Sequence, residues 1–204
     1  KFTQKSKHIG KKMIVPNNLN EDYILINNIG YNFFRLIKKN FLFRKILVID
    51  DERIGLIKKI IFYLLKIKFI EKKNYLITTK KDFFIPKVNV KFQRYNLTKL
   101  IFLISKELKS HLTDLLNEKK FFLKLFNFKK PVKVFLNNSR GINEFLSETS
   151  ELLKIPCFIV PHGTLARGKN KCSKIYNDII AEEVTSKKAI NCVQSKIALN
   201  YFKN

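Results

Sequence analysis

Short apolar runs alternate along this chain with stretches of helical period. KILVID at 45–50, VKVFLNN at 132–138 and IPCFIV at 155–160 are continuous apolar runs of strand length, bounded by turn residues or prolines. Further strands are expected at 23–27, 74–79, 88–94, 176–181 and 188–193. Helical spacing marks 31–43, 53–68, 97–126, 142–154 and 195–202, with the third of these read as one helix or as two broken near Asn117. Strands that alternate with helices imply a parallel sheet covered by helices on both faces, a Rossmann-like α/β domain. The segments expected in that sheet are 46–49, 75–78, 132–136, 157–160 and 189–193. Residues 1–20 form a basic lead-in with a short apolar patch before Pro16, and the pattern shows neither an internal repeat nor a low-complexity linker.

Two segments admit more than one reading. Asp50, Asp51 and Glu52 follow a strand and precede a helix, where carboxylates cap the helix and complement its dipole. The same ILVIDDE run resembles the opening of a bacterial receiver domain, but the later strand at 88–95 lacks the aspartate that such a domain phosphorylates. The segment 31–43 mixes aromatic residues with Arg35, Lys38 and Lys39. It fits a helix with one face in the core and its lysines in water, or an amphipathic helix touching acidic lipid.

Composition narrows the class. The 204 residues are 46% hydrophobic, which suits one packed domain and excludes global disorder. The formal charge of +25 accompanies an abundance of Lys, Asn, Ile and Phe throughout, the bias that an AT-rich genome produces. It is also what an anionic membrane or a nucleic acid would require of a partner. Cys157, Cys172 and Cys192 have neither zinc spacing nor a disulfide framework and read as reduced thiols of a cytoplasmic protein. His111 reads as a surface or interface residue. No apolar run reaches the roughly 18 residues of a membrane span.

The chemistry concentrates in IPCFIVPHGTLARG at 155–168. Here a buried strand runs directly into a polar loop that offers His162, Gly163, Thr164, Arg167 and Gly168. In open α/β sheets, ligands bind beyond the carboxyl ends of the strands. Histidine titrates near neutrality and can take a proton from an incoming hydroxyl. Gly163 lets a ligand approach the backbone, Thr164 can donate a hydrogen bond, and Arg167, Lys169 and Lys171 supply charge for a phosphate. The chain contains no Walker-type loop, no GxGxxG after a strand, no GxSxG elbow and no His/Cys metal cluster.

Residues 131–204 resemble the later part of the N-terminal domain of GT-B-fold transferases of surface-polymer synthesis. The matching features come in order: the strand at 132–138, a helix ending LLKIP, a strand closing in PHGT, and the terminal AINCVQSKIALNYFKN. Capsule and lipopolysaccharide glycosyltransferases share this pattern, as do the CDP-glycerol glycerophosphotransferases of teichoic acid synthesis. In the latter, His-Gly-Thr is usually followed by Pro-Leu-Lys, whereas Leu165, Ala166 and Arg167 follow here.

The resemblance implies transfer of a sugar from a nucleotide-sugar donor to a glycan or lipid-linked acceptor. His162 would be the catalytic base, and Gly163, Thr164, Arg167, Ser139 and Ser195 would contact substrate, with neither metal nor other cofactor. Glycerol-phosphate transfer and a non-enzymatic basic binding module are the alternatives. It further implies that 1–204 is a single Rossmann-like domain, the N-terminal half of a GT-B fold whose nucleotide-binding half is missing. A cytoplasmic enzyme in peripheral contact with an anionic membrane, and no nucleic-acid partner, would follow.

Overall fold

The computed structural model describes residues 19, 22–28, 45–50, 55–71, 91–92, 95–161, 171–172 and 185–192, with single positions at 175, 178, 179, 181, 196 and 199. Eleven elements fall within these residues. They are β1 (Ile24–Asn27), β2 (Ile46–Asp50), α1 (Leu56–Leu64), β3 (Lys68–Glu71), β4 (Lys91–Phe92), β5 (Tyr95–Asn96), α2 (Thr98–Phe128), β6 (Lys133–Leu136), α3 (Ile142–Leu152), β7 (Cys157–Ile159) and β8 (Ile190–Asn191).

Six strands form one parallel sheet in the order β3-β2-β1-β6-β7-β8. The chain works outward from β1 to one edge, returns to the other side of β1, and works outward to the opposite edge. That is the doubly wound order of a Rossmann-like fold, and it leaves a switch point between β1 and β6.

Side-chain alternation along the strands divides the core into two layers. Leu25, Leu47, Ile49, Val134, Leu136, Cys157 and Ile159 face one side, where Phe121, Phe122, Leu125 and Phe126 of α2 and Ile142 and Leu146 of α3 cover them. Ile24, Ile26, Ile46, Val48 and Phe135 face the other side, with Phe62 of α1. Register partners Phe135 and Phe158 stack across β6 and β7 with ring centroids 5.0 Å apart. Helices therefore cover both faces, and strands buried on both sides are why the sequence shows continuous apolar runs rather than alternation.

Several expectations are corrected. The helix expected over 53–68 ends at Leu64, and Lys68–Glu71 is instead the edge strand β3, paired with β2. Lys66 takes the left-handed conformation (φ 56°) that reverses the chain between the two. α1 begins at Leu56 behind Gly55 with no acidic residue in its first turn, so the acidic trio does not occupy that turn. The expected strand at 74–79 lies outside the described residues, as does the helix at 31–43. Lys91 and Phe92 do form a strand, but it pairs antiparallel with Tyr95–Asn96 outside the main sheet.

The segment expected over 97–126 is one unbroken helix, Thr98–Phe128, with Asn117 buried within it. Asp178, Ile179 and Ala181 are helical rather than part of a strand at 176–181. Parallel β7 and β8 need a crossover between them, and a helix supplies it. β1, expected as a strand but not assigned to the sheet, is one of its two middle strands, beside β6.

α2 is about 46 Å long at 1.5 Å per residue, far longer than the strands it crosses. It fully buries side chains only from Asn117 onward, and Leu100, Ile104 and Leu108 of its first half are exposed. Among the described residues no helix is long and apolar enough to cross a membrane.

Candidate functional site at the switch point

Both strands that flank the switch point run into paired asparagines: Asn27 closes β1 and Asn28 follows it, and Asn137 and Asn138 follow β6. Asn28 adopts φ 60°, a conformation Asn tolerates better than most residues, and its N–H donates to the Ile49 carbonyl of β2 at 2.8 Å. After β6, the Asn138 Oδ1 accepts the Arg140 N–H at 3.1 Å, a side-chain-closed turn. Gly141 then takes φ 55° and ψ −119°, open to glycine but strained for any residue with a Cβ, and α3 starts.

Asn143, in the first turn of α3, ties these loops together. Its Nδ2 donates to Asn138 Oδ1 at 2.7 Å and to Asn137 Oδ1 at 3.0 Å. Its Oδ1 accepts from Asn27 Nδ2 at 2.5 Å, a bond between residues 116 positions apart. Asn27 is 1% and Asn143 2% exposed, so this is a buried amide network across the gap between β1 and β6. Around it Asn137, Asn138 and Ser139 are half-buried and Arg140 is exposed. The network ties the end of β1 to the turn after β6 and the start of α3. Asn137, Asn138, Ser139 and Arg140 thus stand at the carboxyl edge of the sheet beside the switch point, where open α/β sheets bind their ligands.

β7 lies beside β6 and delivers its chain to the same edge. Val160 N–H donates to the Leu136 carbonyl and Cys192 N–H to the Ile159 carbonyl, both at 2.8 Å, so the carboxyl ends of β6, β7 and β8 are level. Pro161 follows. The expected catalytic base His162 and the expected substrate contacts Gly163, Thr164, Arg167 and Ser195 lie outside the described residues. Of the expected site residues only Ser139 is described, and it stands in the β6–α3 loop beside the asparagine network.

Sequence reasoning passed over Asn27, Asn137, Asn138, Arg140 and Asn143. A signal existed, since an apolar residue, two asparagines and a nearby glycine end both strands (INNIG at 26–30, LNNSRG at 136–141). The abundance of asparagine throughout the chain hid it.

Beneath the site, burial pushes the Cys157 thiol up to about 12; the neighbouring Ser150 hydroxyl lowers it somewhat and Glu144 raises it. Ser150 Oγ does not reach hydrogen-bond geometry with any partner, so it softens the thiol's environment without fixing it. Cys157 is thus an inert core thiol rather than a nucleophile. His111 lies far along α2, exposed and 3.4 Å from Glu107. No group of three or more His, Cys, Asp or Glu side chains among the described residues is arranged to hold a metal ion.

No family model, curated protein or solved structure matches the chain.

Proposed function

We propose that this chain is the acceptor-side half of a GT-B transferase, which moves a sugar from a nucleotide-sugar to a cell-surface glycan or lipid-linked acceptor. The observation that supports the reading is the strand order. It brings the end of β7, up to Pro161, to the carboxyl edge one strand from the switch point and its asparagine network, and His162, Gly163 and Thr164 come next in the sequence. A base there would meet a hydroxyl held by the amides and Ser139.

In the reaction the acceptor oxygen attacks the anomeric carbon of the donor. The bond from that carbon to the nucleotide phosphate breaks, and the nucleotide leaves. The hydroxyl proton passes to the imidazole of His162. Arg167 and Arg140 would offset phosphate charge, with Gly163, Thr164 and Ser195 shaping the remaining wall.

The full-length gene product should consume one of a panel of UDP-, GDP-, CMP- and CDP-linked donors when a glycan acceptor is present. His162→Ala should lower that turnover by about 10²–10⁴-fold while leaving the unfolding midpoint unchanged. Failure of every donor overturns the transferase reading. Consumption of CDP-glycerol alone moves the assignment to glycerol-phosphate transfer. A His162→Ala protein that unfolds yet keeps its specific activity removes His162 from the mechanism.

A further inference from the structure

We infer that α1 is a membrane-docking element that lies in the surface of an anionic phospholipid bilayer. The inference does not depend on the transfer reading.

α1 carries its apolar residues on the side away from the core. Phe62 is its one fully buried residue, held against Phe69 at 5.7 Å between ring centroids. Leu56, Ile57, Ile60, Tyr63 and Leu64 are between 50% and 82% exposed. At helical spacing, these five form a single stripe opposite Phe62. Five large apolar side chains in water on a nine-residue helix form an exposed patch that calls for a partner.

Charge says which partner. From Leu56 to Ile70 the chain has no acidic residue, while Lys58, Lys59, Lys66 and Lys68 lie along or just beyond the helix, Lys58 and Lys66 exposed. An apolar stripe on a segment, 56–70, whose charged side chains are all cations complements a surface that is apolar within and anionic at its face. The net charge of +25 acts in the same direction. The exposed apolar residues of α2 differ in this respect, because Glu107 and Asp114 are interspersed with them. At nine residues α1 spans about 14 Å, under half of a hydrocarbon core of ~30 Å, so it lies in the interface instead of crossing it. Tyr63, the most exposed of the five, is a residue type that prefers the headgroup level.

The chain has no tryptophan, so Tyr63→Trp installs a single reporter at an exposed position. Vesicles of phosphatidylcholine containing phosphatidylglycerol should shift its emission to the blue and expose it to quenching by brominated lipid. Pure phosphatidylcholine vesicles should do much less, and added salt should reverse the effect. Lys58→Gln with Lys66→Gln should weaken partitioning about 25-fold, at about fivefold per lysine. Ile57→Gln with Leu64→Gln should abolish it. Co-sedimentation of the unmodified chain and of these two double variants gives the same comparison without the reporter.

Emission unchanged by anionic vesicles overturns the inference, even if the chain binds them, since another basic surface would then be responsible. Emission already blue in dilute solution overturns it in favour of cover by another part of the chain. A blue shift that grows with protein concentration alone assigns the stripe to a second copy.

Discussion

Replacing Asn143 by alanine tests whether the switch point is a buried, interlocked network. The substitution removes three hydrogen bonds: to Asn137, to Asn138 and from Asn27. Asn137 and Asn138 are half-buried and can turn to water, so each of those losses is small. Asn27 is 1% exposed and cannot. Leaving a buried amide unpaired costs about 1–3 kcal/mol. With the small void left behind, Asn143→Ala should lower stability by about 2–3 kcal/mol.

For a chain of this size, that corresponds to a fall in Tm of about 4–12 °C. Asn27→Ala strips the same bond from the other end. The double variant should therefore be less damaged than the sum of the singles, by a coupling of about 1–2 kcal/mol. Urea unfolding followed by circular dichroism on the four proteins supplies the cycle. A single-variant loss below about 0.5 kcal/mol, or additivity within that margin, refutes the reasoning, because water would then be replacing Asn143 in an open polar surface.

Gly141→Ala should cost about 1–3 kcal/mol from backbone strain alone, because φ 55° with ψ −119° disfavours a Cβ. The added methyl itself meets only Leu115 Cδ1 at an ordinary 3.8 Å, so a neutral result would mean that the β6–α3 turn adopts a different conformation. Stability should also fall in alkali. The Cys157 thiol sits near 9 when unfolded and is pushed up to about 12 in the fold, so the folded chain holds a proton that the unfolded chain releases. The contribution is intact below pH 9 and is lost between about 9 and 12, at up to about 1.4 kcal/mol per pH unit. Tyr23, raised by burial, adds the same trend at higher pH. Urea midpoints at pH 8 and pH 10.5 read the loss, and Cys157→Ala should flatten it; an unchanged slope in that variant assigns the effect elsewhere.

The sheet was legible in the chain because of where its strands lie. β2, β6 and β7 are covered on both faces, so each had to be a continuous apolar run, and each sits within its expected segment. The helix preceding β7 was equally plain, since Leu146 and Ile142 pack inward at helical spacing. Neighbours are another matter, because apolar runs carry no address. Nothing in ILIN at 24–27 distinguishes an interior strand from an edge, and only pairing with β2 on one side and β6 on the other puts β1 in the middle of the sheet.

Lys68–Glu71 extends a helical period that continues unbroken through the residues before it. The hydrogen bonds offered by β2 and the left-handed turn at Lys66 make it a strand. Asp178, Ile179 and Ala181 are helical because β8 runs parallel to β7 and the chain must cross between them, a fact of the sheet rather than of those residues.

The candidate site divides in the same way. PHGT stood out because a titratable residue and a glycine follow a buried run directly. The asparagine network did not, because each member is an ordinary turn residue until the fold brings Asn27 to Asn143. α1 is the sharpest case. Periodicity identified a helix, but apolar residues lie on nearly all sides of it. Only packing chose Phe62 for the core and left Ile57 and Tyr63 in water. Local sequence fixes the period of an element, whereas the face it buries depends on what the rest of the chain sets against it.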